Sequence, residues 1–202
     1  TSTLTSNPSQ NQSAWTQGAS AENVFAGFGN PAGLAFTPGL QLGLMHQIST
    51  GGGVQSIDLY SALKLDMLAL GLGYYKNLTG VQGPLKEQYR LASALDFGGS
   101  ALGFNWNSLS SDLGTLGSNG AWSLAGINRS NRWLAQSMTM SGATASNNGF
   151  DDLSLGLALR PFGRTWTLGA QVQTTDIWKE RNIDMAVHNW IQMGDFSLLA
   201  SV

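Results

Sequence analysis

His46 and His188 are the two histidines of this 202-residue chain, which has no cysteine. Neither has a second ligand at metal spacing, and no His-Glu-x-x-His run occurs, so no zinc centre of that kind is encoded. Serine is abundant, but no Gly-x-Ser-x-Gly elbow presents one as a nucleophile. No Gly-x-x-x-x-Gly-Lys loop is present to cradle a phosphate. These residues predict a chain that is not an enzyme and needs no cofactor or metal. The more informative chemistry is in charges that interrupt apolar alternation. Asp58, Lys64, Arg90, Asp96, Asp152, Arg160 and Asp184 each sit among leucines or other apolar residues. On a strand, successive side chains face opposite sides, which puts all seven on the face opposite the leucine rows. His188 alternates with Trp190 beside Asp184 and Ala186 and shares that expectation. His46 continues the row Leu40, Leu42, Leu44 and reads as a surface histidine. Both charge signs are present in near balance. Such a face forms either a polar path for solute or a salt-bridge lattice that fills a narrow space.

The elements that must carry these charges are strands. Leu153, Leu155, Leu157 and Leu159 alternate with Ser154, Gly156, Ala158 and Arg160. Ile57, Leu59, Leu63 and Leu65 alternate with Asp58, Tyr60, Ala62 and Lys64. The same period of two runs from Gly39 onward and predicts strands at 39–48, 56–65, 68–77, 87–97, 100–109, 121–129, 132–142, 151–161, 164–174, 182–191 and 195–202. Alternation is poorest in 121–129 and 132–142. Inward rows are rich in glycine (Gly43, Gly71, Gly73, Gly103, Gly156, Gly169). That glycine either leaves room for a ligand or relieves crowding in a curved sheet.

The connections identify the architecture. Tight turns are expected at Asp66-Met67, Gly98-Gly99, Ser130-Asn131, Phe162-Gly163 and near Gly194, a spacing of 32 residues each time. Between them lie longer polar connections at 78–86, 110–120, 143–150 and 175–181. Short turns at one end and long loops at the other are the pattern of an outer-membrane barrel. Strands of about ten residues match a tilted membrane crossing. Composition agrees: 11% of residues are charged, against about 25% in an ordinary soluble domain. Mean hydropathy is nevertheless close to neutral, and no apolar run approaches a membrane helix. Aromatics are expected in two belts. One comprises Tyr74, Tyr75, Tyr89, Trp106, Trp122 and Phe150 near the long loops. The other comprises Phe97, Trp133, Phe162, Trp166, Trp190 and Phe196 near the short turns. A net charge of -2 excludes the basic stripe that binds nucleic acid.

The expected fold is all-β, an antiparallel transmembrane β-barrel of about 10–14 strands when complete, preceded by an N-terminal leader. Residues 1–38 form the leader, with a short helix near Ala19–Phe25 and a compact turn at 30–38. Residues 39–202 form the barrel strands. An odd tally of strands implies part of a longer chain, a barrel closed by other segments, or a strand uncounted.

Residues 19–35, ASAENVFAGFGNPAGLA, resemble the N-terminal leader of FadL-type outer-membrane transporters, and PorV-type secretion barrels are similar there. The resemblance implies that Asn30, Pro31, Ala32, Gly33 and Leu34 are hatch-like positions in the lumen. Residues 101–108 and 155–163 resemble the barrel domain that precedes a signal-peptide-peptidase-A-like protease. Together these imply a bacterial outer-membrane protein that passes small hydrophobic solutes. The alternatives are a non-transporting scaffold in an envelope assembly, or the barrel domain of a larger protease. The implied partners are outer-membrane lipid, a hydrophobic small molecule and envelope proteins.

Overall fold

Apolar residues alternating with small or polar ones give much of the chain from residue 40 onward a local preference for strand, and the strands follow it. The computed structural model describes residues 26–47, 56–78, 87–108, 120–143, 151–161, 166–175, 182–193 and 196–201. Over the last two stretches it describes backbone and pairing, with Ile183 the one side chain placed. A single helical turn, α1 (Ala26–Gly29), leads into a 3-10 helix (Pro31–Phe36). Eleven strands follow: β1 (Leu40–Gln47), β2 (Ser56–Leu65), β3 (Leu68–Asn77), β4 (Glu87–Asp96), β5 (Ser100–Ser108), β6 (Gly120–Asn131), β7 (Leu134–Ala143), β8 (Asp152–Leu159), β9 (Trp166–Thr175), β10 (Asn182–Met193) and β11 (Phe196–Ser201). They make one sheet in sequence order, antiparallel throughout, with β1 and β11 at its two edges. The expected all-β meander of a barrel wall is therefore present, open between those edges.

Because each connection reverses the chain, the strand ends at Leu65 and Leu68, Asp96 and Ser100, Asn131 and Leu134, Leu159 and Trp166, and Met193 and Phe196 all lie at one end. Those at Gln47 and Ser56, Asn77 and Glu87, Ser108 and Gly120, Ala143 and Asp152, and Thr175 and Asn182 lie at the other. Two to six residues join the strands at the first end and six to eleven at the second. Asp66 takes a left-handed conformation (φ 53°), and Gly98 does so at φ 77°. Aspartate tolerates that region and glycine favours it, so both turns can be tight. One turn falls later than its expected position at Ser130-Asn131. β6 continues through Asn131, the register shifts between Asn128 and Asn131, and the turn is Arg132-Trp133. The bulge absorbs extra residues, and the Asn131 Oδ1 accepts from the Trp133 N–H at 2.9 Å, a side-chain substitute for turn glycine. The expected helix at Ala19–Phe25 and turn at Phe162-Gly163 lie outside the described residues.

The two faces differ sharply. Leu42 and Leu72 on the outer face are 78% and 58% exposed. On the inner face Ala62, Ala69, Ala92, Ala94, Ala101 and Ala125 are buried with Tyr60 and Ile127. A soluble sheet would bury its leucines; here the large apolar side chains point away from the core. The outer belt at the long-loop end holds Tyr74 and Tyr89, with ring centroids 5.5 Å apart, and the cross-strand pair Trp106 and Trp122. Phe97 and Trp133 are exposed at the short-turn end. Tyr75 is a correction: it is buried on the inner face, because its neighbour Tyr74 already occupies the outer one. Phe150 and Phe162 lie outside the described residues, as do the side chains of Trp190 and Phe196.

The facing is testable with one charge placed on each side. Leu72→Arg should cost about 2–4 kcal/mol of folding free energy in a bilayer, as charge on a lipid face does near the midplane. Thr139→Arg, on the inner face of β7, should cost far less. Equal unfolding midpoints for the two variants in liposomes would contradict the assigned faces.

Candidate functional site

The inner wall is where the sequence places its charges, and the structure seats the leader on the same wall. Asn30, Pro31, Ala32, Gly33, Leu34 and Ala35 are buried. Proline at the first helical position suits a 3-10 turn that needs no N–H there. Within the turn Gly33 N–H donates to Asn30 O at 2.9 Å. At its end Thr37 caps it twice on Leu34 O, by N–H at 3.1 Å and by Oγ1 at 2.7 Å. Ala32, Leu34 and Ala35 then join the inward alanines of β2 to β6 in one apolar cluster, with Phe36 packed against it.

Glycine makes this seat possible. A Cβ on Gly103 of β5 would fall inside the backbone of Pro31 and Ala32. A Cβ on Gly71 of β3 would meet Leu34 Cδ1 at 3.1 Å. The space that glycine opens at these two inward positions is filled by the leader. Polar contacts fix its two ends. Asn105 Nδ2 of β5 donates to Gly27 O at 3.1 Å. Lys64 Nζ of β2 donates to Ala35 O and to Asp96 Oδ2 of β4, each at 2.5 Å. Asp96 also accepts from the Gly98 N–H through Oδ1 at 2.8 Å, so one carboxylate ties Lys64, the cation that holds the leader, to the β4–β5 turn. The Arg129 guanidinium of β6 stacks 4.2 Å from the Phe36 ring centroid.

A second cluster occupies the long-loop end of β2, β3 and β4. Tyr60 pairs with Gly73, and Gly73 pairs with Arg90, so the middle strand puts no side chain between the other two. Arg90 donates from Nη1 to Tyr60 Oη at 2.6 Å and from Nη2 to Gln88 Oε1 at 3.0 Å. Tyr60 Oη in turn donates to Asp58 Oδ1 at 3.0 Å. Arg90 Nη1 lies 3.9 Å from that carboxylate, with side-chain exposures of 2% and 1%. The guanidinium also lies 5.8 Å from the ring centroids of Tyr60 and Tyr75. At this burial the ion pair is part of the wall, not a charge offered to solute.

The expected inward residues thus fall into separate groups. Asp58 and Arg90 form one ion pair, and Lys64 and Asp96 another. Asp152 is on the inner face of β8, where Ser141 Oγ donates to its Oδ2 at 3.5 Å. Arg160 is half-buried just past β8, its N–H donating to Trp133 O at 2.8 Å. The side chains of Asp184 and His188 lie outside the described residues; their backbone positions pair with Gln173 and Gly169. His46 is exposed on the outer face of β1. Tyr60, Gln88, Asn105 and Arg129 join these groups with one signal in the sequence, position on the same strand face as the charges. Among the described residues no group of three or more His, Asp or Glu could hold a metal. Toward β9 the inner wall becomes more polar: Ser137, Thr139, Ser154, Gln171 and Gln173 face inward beside Ala135 and Ala158, and Gln171 Nε2 donates to Ser154 Oγ at 2.9 Å.

Comparison with solved structures finds bacterial porins. A multiply substituted variant of the Rhodopseudomonas blastica porin superposes with a TM-score of 0.50 at 14% identity, over 72% of this chain and 49% of the porin. A structure described for the asymmetric conductivity of engineered proteins gives the same TM-score, identity and coverage. The shared fold is a porin-type β-barrel wall. The chain spans about half the length of the porins it matches. No protein-family model and no curated protein sequence matches it.

Proposed function

We propose that this chain is the wall of a bacterial outer-membrane β-barrel channel and that residues 26–37 are a plug held in its lumen. The observation that carries the reading is one segment buried on the inner face of a sheet whose outer face is exposed leucine. The resemblance of Asn30–Leu34 to the FadL-type leader supports the plug. That resemblance also implies hydrophobic solutes. The hydroxyls and amides of the inner wall near β7 to β9 favour small polar ones instead. The wall carries the passage, and no chemistry is assigned to it.

A scaffold reading, as for PorV-type barrels, draws on the Asp58–Tyr60–Arg90 network, which commits charge to the wall at the long-loop mouth. Conductance separates the two. The full chain and a version lacking residues 1–38 would be reconstituted in planar bilayers. A plugged channel predicts small, infrequent conductance in the first and a larger, steadier one in the second. Equal conductance in both would remove the plug role. Silence in both, with a stoichiometric protein co-purifying, would favour the scaffold.

A further inference from the structure

The apolar rows of the outer face break on β5 to β8. Cross-strand register sets Leu102, Gly126, Met138 and Leu155 side by side on β5 to β8. Gly126 leaves a gap between large neighbours, and a groove of about 880 Å³ opens there. The next row toward the short turns carries Asn128 beside Gln136, both exposed. β2 and β3 keep leucine up to the turn itself, at Leu65 and Leu68. Beyond the amides, at the turn, Arg132 is exposed with its guanidinium 4.6 Å from the Trp133 ring centroid.

Along the strand the polarity therefore runs from alkyl groove to neutral amides to cation beside an indole. A glycerophospholipid runs in the same order, from acyl chain to ester carbonyls to phosphate. Phe97 and Trp133 mark the headgroup level where aromatic side chains settle. An amide is costly in hydrocarbon but finds partners among ester carbonyls. A second copy of the chain would bring its leucine rows, which suit the groove but offer the exposed cation of Arg132 no anion.

We infer that the groove on β5 to β8 binds one phospholipid of the short-turn leaflet, its acyl chain over Gly126 and its phosphate at Arg132. The inference rests on the reading of the chain as a membrane barrel. Gly126→Leu fills the groove. The fold has room for it, since a Cβ there meets Leu102 Cδ2 at 3.5 Å, an ordinary contact. Native mass spectrometry of the full chain in detergent, titrated with palmitoyl-oleoyl phosphatidylethanolamine, should show one retained adduct. That adduct should be lost in Gly126→Leu, weakened in Arg132→Gln and kept in Leu72→Ala, an outer-face control. Flotation with liposomes of the same lipid tests the barrel by itself. Equal adducts on floating wild type and Gly126→Leu would overturn the lipid site and leave the barrel standing. A chain that does not float would overturn both.

Discussion

Gly103→Val should lift residues 26–37 off the inner wall while leaving the sheet intact. The atoms a Cβ would strike at this position belong to the backbone of Pro31 and Ala32, not to the end of a flexible side chain. The 3-10 turn cannot yield by a rotamer change, so the leader must move as a unit. β5 loses nothing by the substitution: valine is a better strand residue than glycine, and the partners of Gly103 are Ala94 and Ala125, both small. Overpacking of this kind costs about 1–3 kcal/mol when side chains can adjust, and more where backbone is the obstacle. The leader contains no lysine or arginine, so trypsin would be blind to its release. A protease that cuts after aromatic residues should cleave the variant near Phe36 many times faster than the unaltered protein. Bilayer conductance should rise as it does on deletion of the leader. Thr139→Val, two strands away, should do neither. Unchanged cleavage and conductance in Gly103→Val would mean that the leader is not seated as the structure places it.

The parts legible in the sequence were those set by local period. Most of the strands, and the faces of most of β1 to β9, follow from apolar residues at every second position, and the turn at Gly98 follows from a glycine pair. The parts that were not legible depend on register or on distant contact. Arg90 was expected inward, but its bond to Tyr60 requires knowing that Gly73 lies between them on β3. The inward glycines left two readings open, because nothing local says that Leu34 and the Pro31–Ala32 backbone occupy the space over Gly71 and Gly103. The turn at Arg132-Trp133 has no local mark, because the β6 bulge carries no glycine. Tyr75 was placed in an aromatic belt by its distance from the strand end, although strict alternation with Tyr74 already sends it inward. The outer groove has the plainest signal of this group: Gly126 sits on the leucine face of its strand.

The network at the opposite end of the wall leads to the second large effect, on stability. Arg90→Met removes a buried cation and keeps the volume of its stem. Asp58, 1% exposed, then has no positive charge at 3.9 Å, and Tyr60 loses the donor that orients its hydroxyl. Removing one partner of a buried pair costs about 3–5 kcal/mol, because the remaining charge stays buried. That loss should appear as a lower urea midpoint for the protein folded in liposomes, followed by tryptophan fluorescence. Arg90→Lys should recover only part of it. A lysine keeps the charge but cannot present two nitrogens to Tyr60 and Gln88 in one plane. Asp58→Asn in the Arg90→Met background is the decisive arm. If the cost comes from an unpaired carboxylate, neutralising that carboxylate should return most of the stability, although one more native residue has been removed. A double variant no more stable than Arg90→Met would place the cost in lost packing on Tyr60 and Tyr75 instead. The outcome also bears on conduction. The single variant leaves an uncompensated negative charge at the long-loop mouth and should shift selectivity toward cations, whereas the double variant should not.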